Sequence, residues 1–128
     1  MEGLPRAWRG RDVKMERAIV VYTTFPTLVE AERVGKALVE GRLAACANIL
    51  PGMVSHYRWQ GQVERGEEVV MLIKTRATLA EDVSDAVRKM HSYETPAIIV
   101  LPLESVERNY LGWLLESTAP QDQKQDKE

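Results

Sequence analysis

The thiol and imidazole ligands this 128-residue chain could offer a soft or borderline metal are three: Cys46, the only cysteine, and the two histidines, His56 and His91. One thiol cannot close an internal disulfide. One Cys with two His cannot complete a four-ligand Cys/His zinc site inside one chain. Cys46 stands in the run Leu43-Ala-Ala-Cys46-Ala-Asn48-Ile. That setting suits a small buried strand residue or a metal-ligating thiolate, and no neighbouring base activates it as a nucleophile. His91 falls where a helix should end, ahead of Ser92 and Pro96. An imidazole there is favoured by the helix C-terminus, or it ligates a metal with a partner such as Glu94. The candidate metal set is therefore His91, Cys46 and Glu94, with ligands gathered across subunits if the chain assembles. His56, out of phase with Tyr57 and Trp59, reads as an exposed strand residue.

A second set points to a ligand cleft: Lys74, Trp59, Tyr93 and Glu94. Lys74 interrupts an apolar strand just before a helix start, where free backbone N–H groups favour an anion. Trp59 and Tyr93 can supply an aromatic wall. The alternative is that these four only join subunits. Glu64, Glu67 and Glu68, interleaved with Arg65 and Gly66, read as a solvated charged turn with no acid–base role.

The elements that must position these residues come in two similar halves. Thr24-x-x-Thr27-Leu28-x-Glu30 recurs as Thr75-x-x-Thr78-Leu79-x-Glu81. Each copy follows an apolar strand-like run, Ala18 to Tyr22 and Val69 to Ile73, and opens a helix with capping-box spacing. Leu28, Ala31, Val34 and Leu38 form the apolar stripe of the first helix, which Gly41 ends. Leu79, Val83, Ala86, Val87 and Met90 form that of the second. Further strands are expected at Leu43 to Leu50 and Ala97 to Leu103. Pro51-Gly52 breaks the former, which resumes as Met53 to Gln60 and turns back at Gly61-Gln62. Val106, Tyr110, Trp113 and Leu114 suggest a short last helix. The order β-α-β-β-α-β-α is an α+β, ferredoxin-like sandwich with an extended hairpin. Such a ribbon leaves free edges and exposed aromatics, so it is expected to pair with a neighbouring subunit.

Lys plus Arg number 17 and Asp plus Glu 19, for a net charge of -2. Residues 15–118, the expected domain, hold 11 basic and 14 acidic residues and repel phosphate, so no nucleic-acid partner is expected. No apolar run nears the ~20 residues of a membrane-spanning helix, and a cytoplasmic setting fits the lone thiol. Residues 1–14 are expected to be a flexible basic extension, with Met15 a candidate start, and residues 119–128 a disordered polar tail. No Gly-rich phosphate loop, nucleophile elbow or local Ser/His/Asp pairing is visible, so no enzyme is expected.

Leu43-Ala-Ala-Cys46-Ala-Asn48-Ile, Tyr57-x-Trp59-x-Gly61-x-Val63, Lys74-Thr75, His91-x-Tyr93-Glu94-Thr95-Pro96 and Tyr110-Leu-x-Trp113 resemble, in order and spacing, the CutA divalent-cation-tolerance family. The resemblance covers about residues 17–118. It implies a homotrimer of ferredoxin-like subunits similar to the PII signalling proteins. It further implies a part in the response to metal ions, copper or another divalent cation as a non-obligatory ligand, and no enzymatic reaction. Where some members carry Cys and an adjacent His pair, this sequence has Thr23, Met90 and His91. Beside the metal reading stands a PII-like sensor or scaffold, binding a small anion or a protein partner between subunits.

Overall fold

The computed structural model describes residues 16–120. The expectations for residues 1–14, for Met15 and for the tail beyond 120 lie outside the described residues. Four strands, β1 (Ala18–Phe25), β2 (Cys46–Trp59), β3 (Gln62–Arg76) and β4 (Ile98–Pro102), are joined with three helices, α1 (Leu28–Glu40), α2 (Ala80–Met90) and α3 (Arg108–Ser117). The strands form one antiparallel sheet in the order β2-β3-β1-β4. This is the ferredoxin-like arrangement expected from the two halves, with the extra helix following it.

Strand alternation decides which face is covered. Ile19, Val21 and Phe25 of β1 and Val69, Met71 and Ile73 of β3 meet Ala31, Val34 and Leu38 of α1 and Val83 and Val87 of α2 in one buried cluster. Each large apolar side chain so buried contributes about 1.5–3 kcal/mol. Met90 packs against the same cluster. Gly35 lets α1 lie close on the sheet: a β-carbon there would come within 3.0 Å of Met71 Sδ and 3.2 Å of Ala47 Cβ. Leu28, expected on the buried stripe, sits in the first turn and is exposed. The opposite face, carrying Val20, Tyr22, Leu50, Leu72, Ile99 and Leu101, stays largely uncovered; Leu50 is 58% and Leu101 44% exposed.

The repeated helix starts diverge. Thr27 caps α1, its Oγ1 accepting from the Glu30 N–H at 3.2 Å. The Glu30 carboxylate does not return to Thr27 but accepts from the Ser92 N–H and Oγ–H, both at 2.8 Å. In the second copy a 3₁₀ turn over Ala77–Leu79 precedes α2, and Leu79 occupies the N-cap without a side-chain bond. Thr78 instead donates its N–H to Glu16 Oε2 at 2.7 Å. The local motif was met by a tertiary partner in both places.

Gly41 caps α1, but the left-handed residue is the next one, Arg42, with φ 63. That geometry sends its guanidinium to the C-terminus of α3, donating to the Glu116 and Ala119 carbonyls at 2.8 and 2.7 Å. Arg76 donates to Thr118 Oγ1 and the Leu115 carbonyl. Two cations thus satisfy the helix's last acceptors, while Leu114 packs on Ala18 and Ala45.

The ribbon departs from expectation in two linked ways. Its turn is Gln60-Gly61, with φ 50 and 82, a pair of left-handed residues that matches a type I′ hairpin. Trp59 accordingly pairs with Gln62, so the turn falls one residue earlier than Gly61-Gln62. Further down, the register Leu50↔Val70 becomes Met53↔Glu68, so β2 carries one extra residue at Pro51-Gly52. Gly52, with φ 87, takes the conformation this bulge requires.

Candidate functional site

The bulge assembles the site. β3 carries Glu64, Gly66 and Glu68 on one face, and the shifted register places Tyr57, Ser55 and Met53 opposite them. Had the register of Leu50 and Val70 continued unbroken, Gly52, Val54 and His56 would stand there. Thr24 of β1 and the Tyr93–Ala97 segment after α2 close a cleft of about 610 Å³, which Ser55, His56, Tyr57, Trp59 and Glu68 also line.

Glu68 organises the floor. Its Oε2 accepts from Thr24 Oγ1 at 3.2 Å and Tyr93 Oη at 2.9 Å, and its Oε1 from Ser55 Oγ at 3.0 Å. Burial, the bond to Glu68 and the negative charges of Glu68 and Glu30 push the Tyr93 phenol from 10.0 up to about 12. Tyr93 is itself held by His91. The His91 side chain is fully buried and stacks on Phe25, ring centroids 4.3 Å apart at 11°. Its Nε2 lies 2.6 Å from the Thr24 carbonyl, and its Nδ1 accepts from the Tyr93 N–H at 3.1 Å. A carbonyl can only accept, so the geometry assigns the proton to Nε2, and the one lone pair, on Nδ1, is already used. Glu30 Oε2 lies 3.7 Å from Nδ1, beside the Tyr93 N–H.

The candidates named from sequence therefore separate. Trp59, Tyr93 and Glu94 line one cleft, and His91 supports it from beneath. Lys74 does not reach it. Lys74 pairs with Cys46 across β2 and β3 and donates to Tyr110 Oη at 3.3 Å, its Nζ 5.5 Å from the Tyr110 ring centroid. Cys46 Sγ lies 3.8 Å from both Tyr110 Oη and Asn48 Oδ1. Lys74 pairs with Val20, four residues of β1 from Thr24, so this cluster lies roughly 13 Å along the strand from His91. Among the described residues no three His, Cys, Asp or Glu side chains converge, so those of one chain do not fit a copper site. Among the described residues, the buried Thr23 Oγ1 of β1 has no hydrogen-bond partner.

Glu68 corrects the reading of Glu64, Glu67 and Glu68 as one solvated turn. Glu67 is exposed and pairs with Arg65 at 3.5 Å, but Glu68 lies on the alternate face and belongs to the cleft. Its alternation with Val70 and Leu72 was the signal. His56, exposed and opposite Arg65, also lines the cleft, which its phase did not suggest.

Fold and cleft together define a small α+β protein with a ferredoxin-like sheet and a carboxylate-and-aromatic cavity at the base of a long ribbon. Residues 19–117 match the model of the CutA1 divalent ion tolerance protein family. The divalent-cation tolerance protein CutA of Thermus thermophilus is 44% identical over 99 residues, 77% of this chain and 96% of its own. Human protein CutA is 40% identical over 97 residues, 76% of this chain and 54% of its own. The crystal structure of divalent ion tolerance protein CutA1 from Ehrlichia chaffeensis superposes with a TM-score of 0.80 at 31% identity, covering 84% of this chain and all of that one. The chain belongs to the CutA1 family of divalent ion tolerance proteins.

Proposed function

We propose that this chain is a non-enzymatic, PII-like sensor in the response to divalent cations, a homotrimer that takes a small ligand in the cleft around Glu68. The observation that carries the reading is the cleft itself: about 610 Å³, aromatic on its walls, with a hydrogen-bonded carboxylate at its floor. Small-molecule sites have this build, apolar walls with a few placed polar groups. Assembly is supported by the uncovered sheet face and by Trp59 and Val63, 60% and 66% exposed near the ribbon turn. Sedimentation should give three chains of 14.5 kDa, that is 43.5 kDa; a 14.5 kDa species would remove the trimer. Screening metabolites by thermal shift tests the sensor, and no shift with any of them counts against it.

The family's connection to divalent cations supports a second reading, in which the trimer binds copper(II) or a similar ion. Cys46 and Glu94 are its candidate ligands across a subunit boundary, and His91 joins only by giving up the Tyr93 N–H. Calorimetric copper titration of wild type and His91→Ala tests this; no binding tighter than ~1 mM removes it. We place the protein in the cytoplasm, in keeping with its single thiol. No helix among the described residues is long and apolar enough to cross a membrane.

A further inference from the structure

We infer that the acidic row Glu64-Gly66-Glu68 at the mouth of the cleft is completed by Arg58 of the partner subunit, so that cleft and boundary are one site built from two chains. The inference rests on reading the chain as a homotrimer and assigns charges that join its subunits. Within one chain the ribbon keeps its charges apart. Glu64 and Glu68 project from one face of β3, opposite Tyr57 and Met53. Arg58 projects from the other face of the ribbon, opposite Val63, with His56 and Arg65 as neighbours. The bulge at Pro51-Gly52 enforces this sorting. Had the register of Leu50 and Val70 continued unbroken, Arg58 would pair with Gln62 and stand diagonal to Glu64 on the acidic face.

Each chain is thereby left with groups that it does not pair by itself. Among the described residues neither the Arg58 nor the Glu64 side chain has an ion pair or hydrogen bond within its own chain. Arg65 is held by Glu67 at 3.5 Å, which leaves Arg58 the uncommitted guanidinium of the ribbon. Glu68 spends three of its roughly four lone-pair sites on Thr24, Ser55 and Tyr93 and keeps its charge. Glu64 and Glu68 stand two residues, roughly 7 Å, apart along the strand. Between them the Tyr57 ring lies over Gly66, where a β-carbon would be 3.6 Å from both Tyr57 Cε1 and Oη. A guanidinium carries its N–H donors in one plane, so it can bridge two carboxylates while lying flat on that ring. Symmetry selects the donor. A closed ring of three joins unlike patches at every boundary, so the acidic face must meet something other than itself. The complementary patch on the same ribbon is its opposite face, where Arg58 sits beside His56 and diagonal to Arg65.

Charge reversal and cross-linking on the full-length chain test this. Subunit exchange between light and heavy isotope-labelled trimers, followed by native mass spectrometry, should run about tenfold faster for Arg58→Glu and for Glu64→Arg at low salt. The double variant should return most of the way to wild type, and molar salt should shrink the single effects. Both positions are exposed, so neither change threatens the fold. Arg58→Lys keeps the charge and adds an amine, which a carbodiimide condenses with a touching carboxylate to an amide, releasing water. In mixed trimers the peptide carrying that amine should be joined to the one carrying Glu64 or Glu68, one partner light and the other heavy. Reversals that have no effect or merely add overturn the inference and leave the trimer standing. So do cross-links to Glu64 and Glu68 that are absent or confined to one chain. A single-chain species for the wild type removes both readings.

Discussion

Glu68 and Lys74 lie on the same face of β3, six residues and roughly 20 Å apart, and they make opposite local worlds. Around Glu68 the chain opens a cavity: the ribbon, β1 and the loop after α2 diverge, and three hydroxyls aim a carboxylate into the gap. Around Lys74 the chain closes, because α3 crosses that end of the sheet and Tyr110 covers the ammonium. Glu107 caps α3, and the N–H groups of Asn109 and Tyr110 hold its carboxyl below the usual range. An ionisable residue on a strand becomes a site only where its neighbours leave room. What leaves room here, among the described residues, is the lack of a covering helix and the presence of one extra residue in β2.

The comparison is broken most severely by removing the support beneath the cleft. Phe25→Ala takes away the ring on which His91 stacks and should destabilise the fold by about 3–5 kcal/mol in urea unfolding. Leu114→Ala, the matching excision beneath α3, should cost about 2–5 kcal/mol and free Tyr110 from Lys74. Glu68→Ala strands three hydroxyl donors, an expected loss of about 1–3 kcal/mol. Its spectroscopic sign is a Tyr93 phenol that ionises below about 12 yet above 10.0, since burial, the larger cause, remains. That phenol also sets a pH window. Its folded value lies above the ordinary one, so its contribution is complete below pH 10.0 and disappears as pH rises to about 12. Tyr93→Phe should flatten that alkaline decline in thermal scans.

Smaller effects sharpen the contrast between the two halves. Thr27→Ala should cost about 1 kcal/mol, whereas Thr78→Ala, whose side chain caps nothing, should stay within ~0.5 kcal/mol. Lys74→Met should lose less than ~1 kcal/mol in urea unfolding.

Much of this protein was legible before any coordinates. The alternating runs at Ala18–Tyr22 and Val69–Ile73, the helical stripes and the repeated Thr-x-x-Thr-Leu-x-Glu segment specify the element order, because side-chain period and turn chemistry are local properties. Trp59, Tyr93 and Glu94 were likewise legible as cleft residues, while Glu68 hid in a stretch that reads as charged surface. Tertiary structure alone decided how the faces align. Periodicity fixes the side on which a side chain projects only until a bulge intervenes, and the residue added at Pro51-Gly52 exchanges the two sides of the ribbon. The same holds for Lys74, His91 and Cys46. Their types announced chemistry, but register and the docking of α3 determined that Lys74 and Cys46 share one end of the sheet while His91 is spent on holding Tyr93 at the other.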